Sequence, residues 1–476
     1  MPNISRRQFV KRTVAAGAAF TLGFPSALRA RGANDKLQVG FIAAGGRAKA
    51  HTSRAHAAGL QCVAFAEVDK TRWNGVQGKE GWKDAVGYTD WREVFDKHGK
   101  QLDVVFVATP DHTHFAPTMT AVSMGIHCYT EKPLTWSVRE AQLLAAAYAK
   151  NPNVVTQMGN QGHSGEGWRR AYELVKSGAI GDIKEFHTWT NRPVWPQGGD
   201  RPDYTSAVPE DLDWEAWIGA APMRPFSGPK DGARKGRGPY HSFNWRGFVD
   251  FGSGALGDMA CHTTDGIYAI MNPGYAATAE PIEMTGPVKD QYPAGMIVKS
   301  TYRAKGDQPG FTTYWYEGKD KDGKPYMPES PEELKVDRSE VPGKEASGGE
   351  LPRTGNLVIG TKGKMLVEGD YWDRTRLIPE ARNKEVGDPK QLLERSPGHH
   401  AEFFAACRGE KPREYSQSNF GYSGPMTANI QLGNLCARAG KKLELNEEGK
   451  ITSDPKINDL AWREPRKGWG PMEMNV

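Results

Sequence analysis

From Lys36 to Gly159, short apolar runs alternate with stretches of helical periodicity, and this alternation restricts the fold more than any other feature of the sequence. The apolar runs are KLQVGFIA, QCVAFAEV, LDVVFVATP, IHCYT and NVVTQMG. Strands that are apolar throughout must be covered on both faces, and intervening helices make successive strands parallel. The pattern therefore predicts an α/β fold, a Rossmann-type doubly wound parallel sheet, over residues 34–160.

The pattern changes after residue 160. Residues 191–245 are rich in Pro, Gly and Trp and show little periodicity, which predicts long ordered loops over a site. Segments such as GMIVKSTYRA, GFTTYWYEG and NLVIGTKGKMLVEGD are typical of antiparallel strands with turn glycines. We expect residues 161–476 to form a second, α+β domain with an open, mostly antiparallel sheet.

The first 33 residues have the layout of a twin-arginine export signal. The segment SRRQFVK places Arg6 and Arg7 before the apolar run TVAAGAAFTLGF, which is too short for a permanent membrane anchor. A disordered basic N-terminus is the alternative. The layout predicts a periplasmic or otherwise exported protein with no membrane anchor after processing. Because that compartment has no ready pool of nicotinamide nucleotide, we expect any such cofactor to be held tightly.

Charge and cysteine content exclude other partners. The net charge is +5, from 62 basic and 57 acidic residues, without the clustering that nucleic-acid binding requires. The five cysteines are scattered, and no two of them form a CxxC pair. We expect no nucleic-acid partner, no metal site and no disulfide framework.

The loop VGFIAAGGRA lies where a dinucleotide-binding fingerprint GxGxxG would be expected. The six fingerprint positions are occupied by Ala43, Ala44, Gly45, Gly46, Arg47 and Ala48. The middle glycine is kept and alanine is accepted at the last position, so the departure is Ala43. Glu67 follows Gly45 by 22 residues and ends the next strand, where an acid would bind the ribose hydroxyls. A carboxylate there repels a 2′-phosphate and favours NAD over NADP, whereas a solvated strand end is the alternative for Glu67.

Three further segments follow predicted strands, namely ATPDHTH (108–114), TEKPL (130–134) and QMGNQGH (157–163). Ligands bind at this edge of open α/β sheets. Together with the loop, these segments resemble the glucose-fructose oxidoreductase, inositol dehydrogenase and rhizopine-catabolism (Gfo/Idh/MocA) family, from about Lys36 almost to the C-terminus. In the second half, GALGDMACHTTDGIYAI places Asp258 and His262 four residues apart on one helix face, where the family has its catalytic Asp and His.

The resemblance implies a role for each of these residues. Lys132 would touch the nicotinamide ribose and the substrate hydroxyl, with His262 as the base and Asp258 orienting its imidazole. The predicted cofactor contacts are Gly45, Gly46, Arg47, Glu67, Thr109, Pro110, His114, Glu131, Lys132 and Asn160. The predicted sugar contacts in the Trp-rich loops are Asn191, Arg192, His241 and Trp245, for which a purely structural role in the loops is the alternative.

These observations predict an exported NAD-dependent oxidoreductase acting on a hydroxyl of a sugar, cyclitol or glycoside, with tightly bound NAD. One alternative is a glycosidase that works by transient oxidation and elimination, although such relatives tend to lack the lysine of EKP. A second alternative is a non-catalytic binding protein, which only Ala43 supports. By analogy with the family, we expect a homo-oligomer, a dimer or a tetramer.

Overall fold

The computed structural model describes residues 36–230, 238–334 and 351–476, so the predicted export signal lies outside the described residues. Within them, six strands form a parallel sheet in the order β3-β2-β1-β4-β5-β6. These are β1 Gln38–Ile42, β2 Gln61–Ala66, β3 Val86–Tyr88, β4 Val104–Val107, β5 His127–Thr130 and β6 Thr156–Met158. The strand order reverses between β1 and β4, which is the point where such sheets bind ligands.

Helices cover both faces of this sheet. They are Ala48–Ala57, Asn74–Gln77, Trp91–His98, Phe115–Ser123 and Val138–Lys150. The last of them begins with a capping box, in which the Ser137 hydroxyl accepts from the Glu140 amide and the Glu140 carboxylate accepts from the Ser137 amide. The predicted doubly wound fold is confirmed, with β3 as an additional edge strand that the sequence pattern did not indicate.

A second sheet has the order β13-β12-β11-β7-β10-β9-β8-β14. Its strands are β7 Ile183–Trp189, β8 Thr278–Met284, β9 Gly295–Tyr302, β10 Phe311–Gly318, β11 Gly355–Gly360, β12 Lys364–Glu368, β13 Arg374–Ile378 and β14 Leu443–Glu444. Strands β7 and β10 pair in parallel and the other neighbours pair antiparallel. The mostly antiparallel sheet is confirmed. The segment FHTW lies in β7, where it pairs with β10 and β11.

The remaining helices pack beside this sheet and between the two sheets. They are Gly167–Lys176, Trp214–Ile218, Gly254–Thr263, Asp265–Met271, Glu380–Val386, His399–Cys407, Phe420–Ala439 and Ile457–Leu460. The helix Phe420–Ala439 is buried over most of its length and contacts both Val138–Lys150 and Gly254–Thr263. It thereby fixes the helix that carries Asp258 and His262 beside the first sheet.

The helix His399–Cys407 closes the core of the first sheet from a distant part of the sequence. The Phe403 ring lies 5.8 Å from Phe106 of β4 and 5.6 Å from Tyr129 of β5, and Phe404 also contacts Phe106. These aromatic rings are buried with Phe41 in one apolar cluster. In the described ranges, no helix is long and apolar enough to cross a membrane.

Candidate active site

A cavity of about 600 Å³ lies at the carboxyl ends of β1, β2, β4 and β5. The second half of the chain supplies its other wall through residues 192–195, 241–246, 258–262 and 370–371. This volume is in the range of small-molecule and cofactor sites. The cavity therefore lies at the switch point of the sheet, between residues from both halves of the chain.

The glycine-containing loop enters the cavity through Gly45, Gly46 and Arg47. Ala43 has a φ of 98°, a conformation that normally requires glycine, and Gly46 has a φ of 49°. A side chain at Gly45 would meet Arg72, whose Cδ would lie 2.4 Å from the added Cβ. In this loop Ala43 occupies the position of the first fingerprint glycine, and its backbone is strained there.

Glu67 braces this loop. Its Oε2 atom accepts hydrogen bonds of 2.9 Å from the amides of Ala44 and Gly45, and its Oε1 atom accepts one of 3.0 Å from the amide of Asp69. The side chain is buried but still lines the cavity. The carboxylate therefore supports the loop directly, and its predicted contact with ribose would be an addition to this role.

His241 lies at the end of β2, beside Asp69 and Arg72. Its Nε2 atom is 3.4 Å from the Asp69 carboxylate and 3.3 Å from the Arg72 guanidinium. Burial would raise the pKa of Asp69, but hydrogen bonds from His241, Thr71 and Arg72 outweigh burial and hold the pKa below its ordinary range. The structure thus places His241 in this cluster at the Glu67 end of the cavity, whereas the sequence predicted a sugar contact.

Lys132 joins the two halves of the chain. Its Nζ atom donates to the Asp258 carboxylate and to the Asp258 carbonyl oxygen, both at 2.7 Å. Arg246 donates to the same carboxylate oxygen at 3.0 Å. Burial would raise the pKa of Asp258, but the charges of Lys132 and Arg246 keep it below its ordinary range. Asp258 is therefore an anion held between two cations.

His262 lies one turn further along the same helix and lines the cavity. Its Nδ1 atom is buried and has no hydrogen-bond partner among the described residues, and its ring centroid is 4.7 Å from that of Tyr371. Burial, and then the charge of Lys132, lower its pKa to about 3. Among the described residues no hydrogen bond joins this imidazole to the Asp258 carboxylate, which accepts from Lys132 and Arg246, so its orientation by Asp258 stays a prediction.

The predicted cofactor contacts of the TPDHTH turn divide into two groups. Thr109 and Pro110 line the cavity, and the buried Thr109 hydroxyl lacks a partner in the part of the chain that the structure describes. The His114 imidazole is instead buried between the carbonyl oxygens of Pro133 (2.7 Å) and Thr109 (2.8 Å). His114 is therefore a positioning residue that ties this turn to the EKP loop. His112 is likewise buried against the carbonyl oxygens of Phe251 and Trp217.

Asn160 does not reach the cavity. Its amide nitrogen donates to Asp265 at 2.8 Å and its oxygen accepts from Ser418 at 2.5 Å. The side chain is fully buried and is not among the described lining residues of the cavity, and its contact with the cofactor stays a prediction. Glu131, by contrast, lines the cavity and accepts from Arg47 and His51.

Not all of the four predicted sugar contacts line the cavity. Arg192 and Trp245 line the cavity, whereas Asn191 is not among its described lining residues and instead accepts from the Arg192 guanidinium. Trp245 stacks on Arg246, with 4.3 Å from the guanidinium carbon to the ring centroid. Arg192 also pairs with Asp370 at 3.5 Å.

Asp111, Arg246 and Tyr371 are among the cavity-lining residues that sequence reasoning missed. Burial raises the pKa of Asp111 to about 7, although Arg246 and Lys132 oppose the shift. Asp111 belongs to the TPDHTH motif, which could have indicated it. No local signal marked Arg246 or Tyr371, since both reach the site only through the tertiary fold.

The site fits a dinucleotide. The Gly45–Gly46 loop lines the cavity, a side chain at Gly45 would meet that of Arg72, and the orphaned Thr109 hydroxyl lines the same cavity. Over the described ranges, no group of three or more His, Cys, Asp or Glu side chains is placed to hold a metal ion.

Comparison with known proteins agrees with this architecture. Residues 37–159 match the description "Oxidoreductase family, NAD-binding Rossmann fold" of the Gfo/Idh/MocA family, and residues 182–342 match its "C-terminal alpha/beta domain". Levoglucosan dehydrogenase of Pseudarthrobacter phenanthrenivorans is 27% identical over 240 residues, covering 48% of this chain and 50% of that protein. Inositol 2-dehydrogenase 1 of Saccharopolyspora erythraea is 26% identical over 194 residues, covering 38% and 54%.

The chain thus spans about half the length of these two curated relatives. Among solved structures, the WlbA dehydrogenase of Bordetella pertussis, in complex with NADH and UDP-GlcNAcA, superposes with a TM-score of 0.54 at 15% identity, covering 87% of this chain and 99% of that one. This likeness concerns the fold alone. From the two family matches and the shared architecture, the chain belongs to the Gfo/Idh/MocA oxidoreductase family.

Proposed function

We propose that this protein is an NAD-dependent oxidoreductase acting on a hydroxyl group of a sugar, cyclitol or glycoside. One observation carries the proposal, namely that Lys132, His262 and the Gly45–Gly46 loop line one cavity at the switch point of the sheet. The dehydrogenases of levoglucosan and inositol among its relatives support the substrate class.

The protein's own residues supply binding and proton transfer. NAD would be held by the Gly45–Arg47 loop, Thr109 and Glu131, and when bound it supplies the hydride acceptor. His262 is uncharged at neutral pH because burial and Lys132 lower its pKa to about 3, so a ring nitrogen is free to accept the hydroxyl proton. The Lys132 ammonium stabilises the alkoxide that develops. Asp258 positions that ammonium.

Lys132→Met and His262→Ala test these roles. We expect kcat on an active sugar to fall by roughly 10²–10⁴-fold, as for loss of a general base or of a charge stabiliser, while NAD binding changes little. Lys176→Met, on an exposed helix end, is the matched control. Sugar-dependent reduction of NAD that survives both site variants would contradict the proposal.

We further propose that the protein is exported and retains NAD, so that it oxidises one substrate and reduces another on the same bound cofactor. The sequence of residues 1–33 and the compartment it indicates support this proposal. To test retention of NAD, the mature protein is denatured, and the mass and absorbance of any released small molecule are measured. To test export, cells that express an Arg6→Lys, Arg7→Lys variant are fractionated. Aglycone release from aryl glycosides would instead favour the glycosidase.

A homo-oligomer, a dimer or a tetramer, is also proposed. Ile297, Tyr314 and Ile359 are partly exposed on strands of the second sheet, which supports an interface there. Light scattering of the purified protein tests it, and a monomer would overturn it.

A further inference from the structure

The turn between β12 and β13 is fixed on both sides of Tyr371. Trp372, with a φ of 61°, is buried, donates through its indole to the carbonyl of Thr263 at 2.8 Å, and packs on Gly266. Asp370 accepts from the Thr354 hydroxyl at 2.5 Å and pairs with Arg192 at 3.5 Å. Both neighbours of Tyr371 are thus tied to other parts of the fold.

Tyr371 itself remains exposed inside the cavity. Its ring is 4.7 Å from the His262 imidazole at an interplanar angle of 63°, and its edge lies close to Gly162, where an added Cβ would be 3.0 Å from the Tyr371 Cδ1. Nevertheless, Tyr371 is 44% exposed. A rigidly held aromatic side chain therefore lies open beside the imidazole that faces the substrate.

Polar groups border this ring. The Arg192 and Asp370 side chains line the same cavity and are each about a fifth to a quarter exposed. A guanidinium and a carboxylate side by side can donate to and accept from neighbouring hydroxyls, whereas the face of the tyrosine ring is apolar. A compact ring with hydroxyls along its edge and C–H groups on one face matches both surfaces.

We infer that Tyr371 determines specificity by stacking on the C–H face of a pyranose or cyclitol, with Arg192 and Asp370 binding hydroxyls at the edge of that ring. The inference rests on the proposed function and narrows its substrate class to rigid rings. An open-chain polyol presents no continuous C–H face, so it gains little from the tyrosine.

Binding measured by calorimetry tests the inference separately from turnover. The probes are glucose, myo-inositol and 1,6-anhydroglucose, with sorbitol as the open-chain comparison, added to the protein saturated with NAD. We expect Tyr371→Ala to weaken binding of at least one ring compound by roughly tenfold, the loss of one aromatic contact, and Tyr371→Phe to bind it within about twofold of wild type. Tyr415 is not among the described residues that line the cavity, so Tyr415→Ala is the control.

Four outcomes would each overturn the inference. Tyr371→Ala could bind ring compounds as well as wild type, lose as much affinity for sorbitol as for the rings, or lose affinity for NAD in place of the sugar. In the fourth outcome, the wild-type protein binds no ring compound. If rings bind through Tyr371 but no hydride is transferred, the inference stands and the proposed function fails.

Discussion

Replacing Glu67 with glutamine separates two roles for the acid at the end of β2. The buried carboxylate accepts three backbone hydrogen bonds, from the amides of Ala44, Gly45 and Asp69. Glutamine has the same size but only one acceptor oxygen. Its NH₂ group must therefore face at least one amide hydrogen. The least costly orientation keeps the oxygen toward Ala44 and Gly45.

The cost follows from those three contacts. Hydrogen bonds to a charged acceptor contribute about 1.5–3 kcal/mol each, and an opposed pair of donors leaves a buried amide unsatisfied. Losing one bond and weakening two amounts to about 2–4 kcal/mol. In a compact unit that spans Leu37–Val476, unfolding entropy is large, so this free energy corresponds to a fall in Tm of only about 2–4 °C.

Calorimetry on nucleotide-free protein measures this fall, and repetition with saturating NAD shows how much of it depends on the cofactor. Glu80→Gln, at an exposed position shortly after β2, is the matched control. If Glu67 served only the ribose, Glu67→Gln would leave the nucleotide-free Tm unchanged and weaken NAD binding alone. That outcome would refute the bracing role.

Three further predictions concern the same framework. Ala43 has a φ of 98°, so Ala43→Gly removes a backbone strain of about 1–2 kcal/mol and adds a smaller cost in conformational entropy. We therefore expect the urea midpoint of unfolding to stay the same or rise in Ala43→Gly and to fall in the control Ala44→Gly. An equal fall of the midpoint in both variants would contradict the reasoning. Burial raises the pKa of Glu317 to about 8, so the folded state binds a proton that the unfolded state releases near pH 4.5, and stability falls as pH rises between these values, by roughly 5 kcal/mol at most. Glu317→Gln should abolish that fall, and its Tm advantage over wild type should grow from pH 5 to pH 9. His114→Ala removes the imidazole that lies between the carbonyl oxygens of Pro133 and Thr109, so we expect weaker NAD binding together with a lower Tm, and a change in neither would contradict the positioning role.

The first half of the fold could be predicted because most of its helices and strands are marked by a local sequence pattern. The helix Val138–Lys150 has a local sequence pattern, since Ser137 and Glu140 mark its start and its apolar side chains recur at helical spacing. Strand β7 has no comparable local pattern, and its pairing partners β10 and β11 lie more than 100 residues away.

The site was predictable only where a motif carried it. Lys132 and the Gly45 loop were found through short patterns that fold next to their strands. The contacts of Asp258 with Lys132 and Arg246 could not be predicted, because four-residue spacing shows which groups are near on one helix and cannot show which groups arrive from elsewhere. The contacts of Asn160 with Ser418 and Asp265 could not be predicted for the same reason.

The placement of Phe403 and Phe404 has a consequence for biosynthesis. During translation, strands β1 to β6 leave the ribosome long before residues 399–407 exist, and until then Phe106 and Tyr129 lack the rings that cover them. The core of the nucleotide-binding half thus lacks these rings until residues 399–407 have been synthesised. The late-emerging helix then covers a sheet whose strands were made well before it.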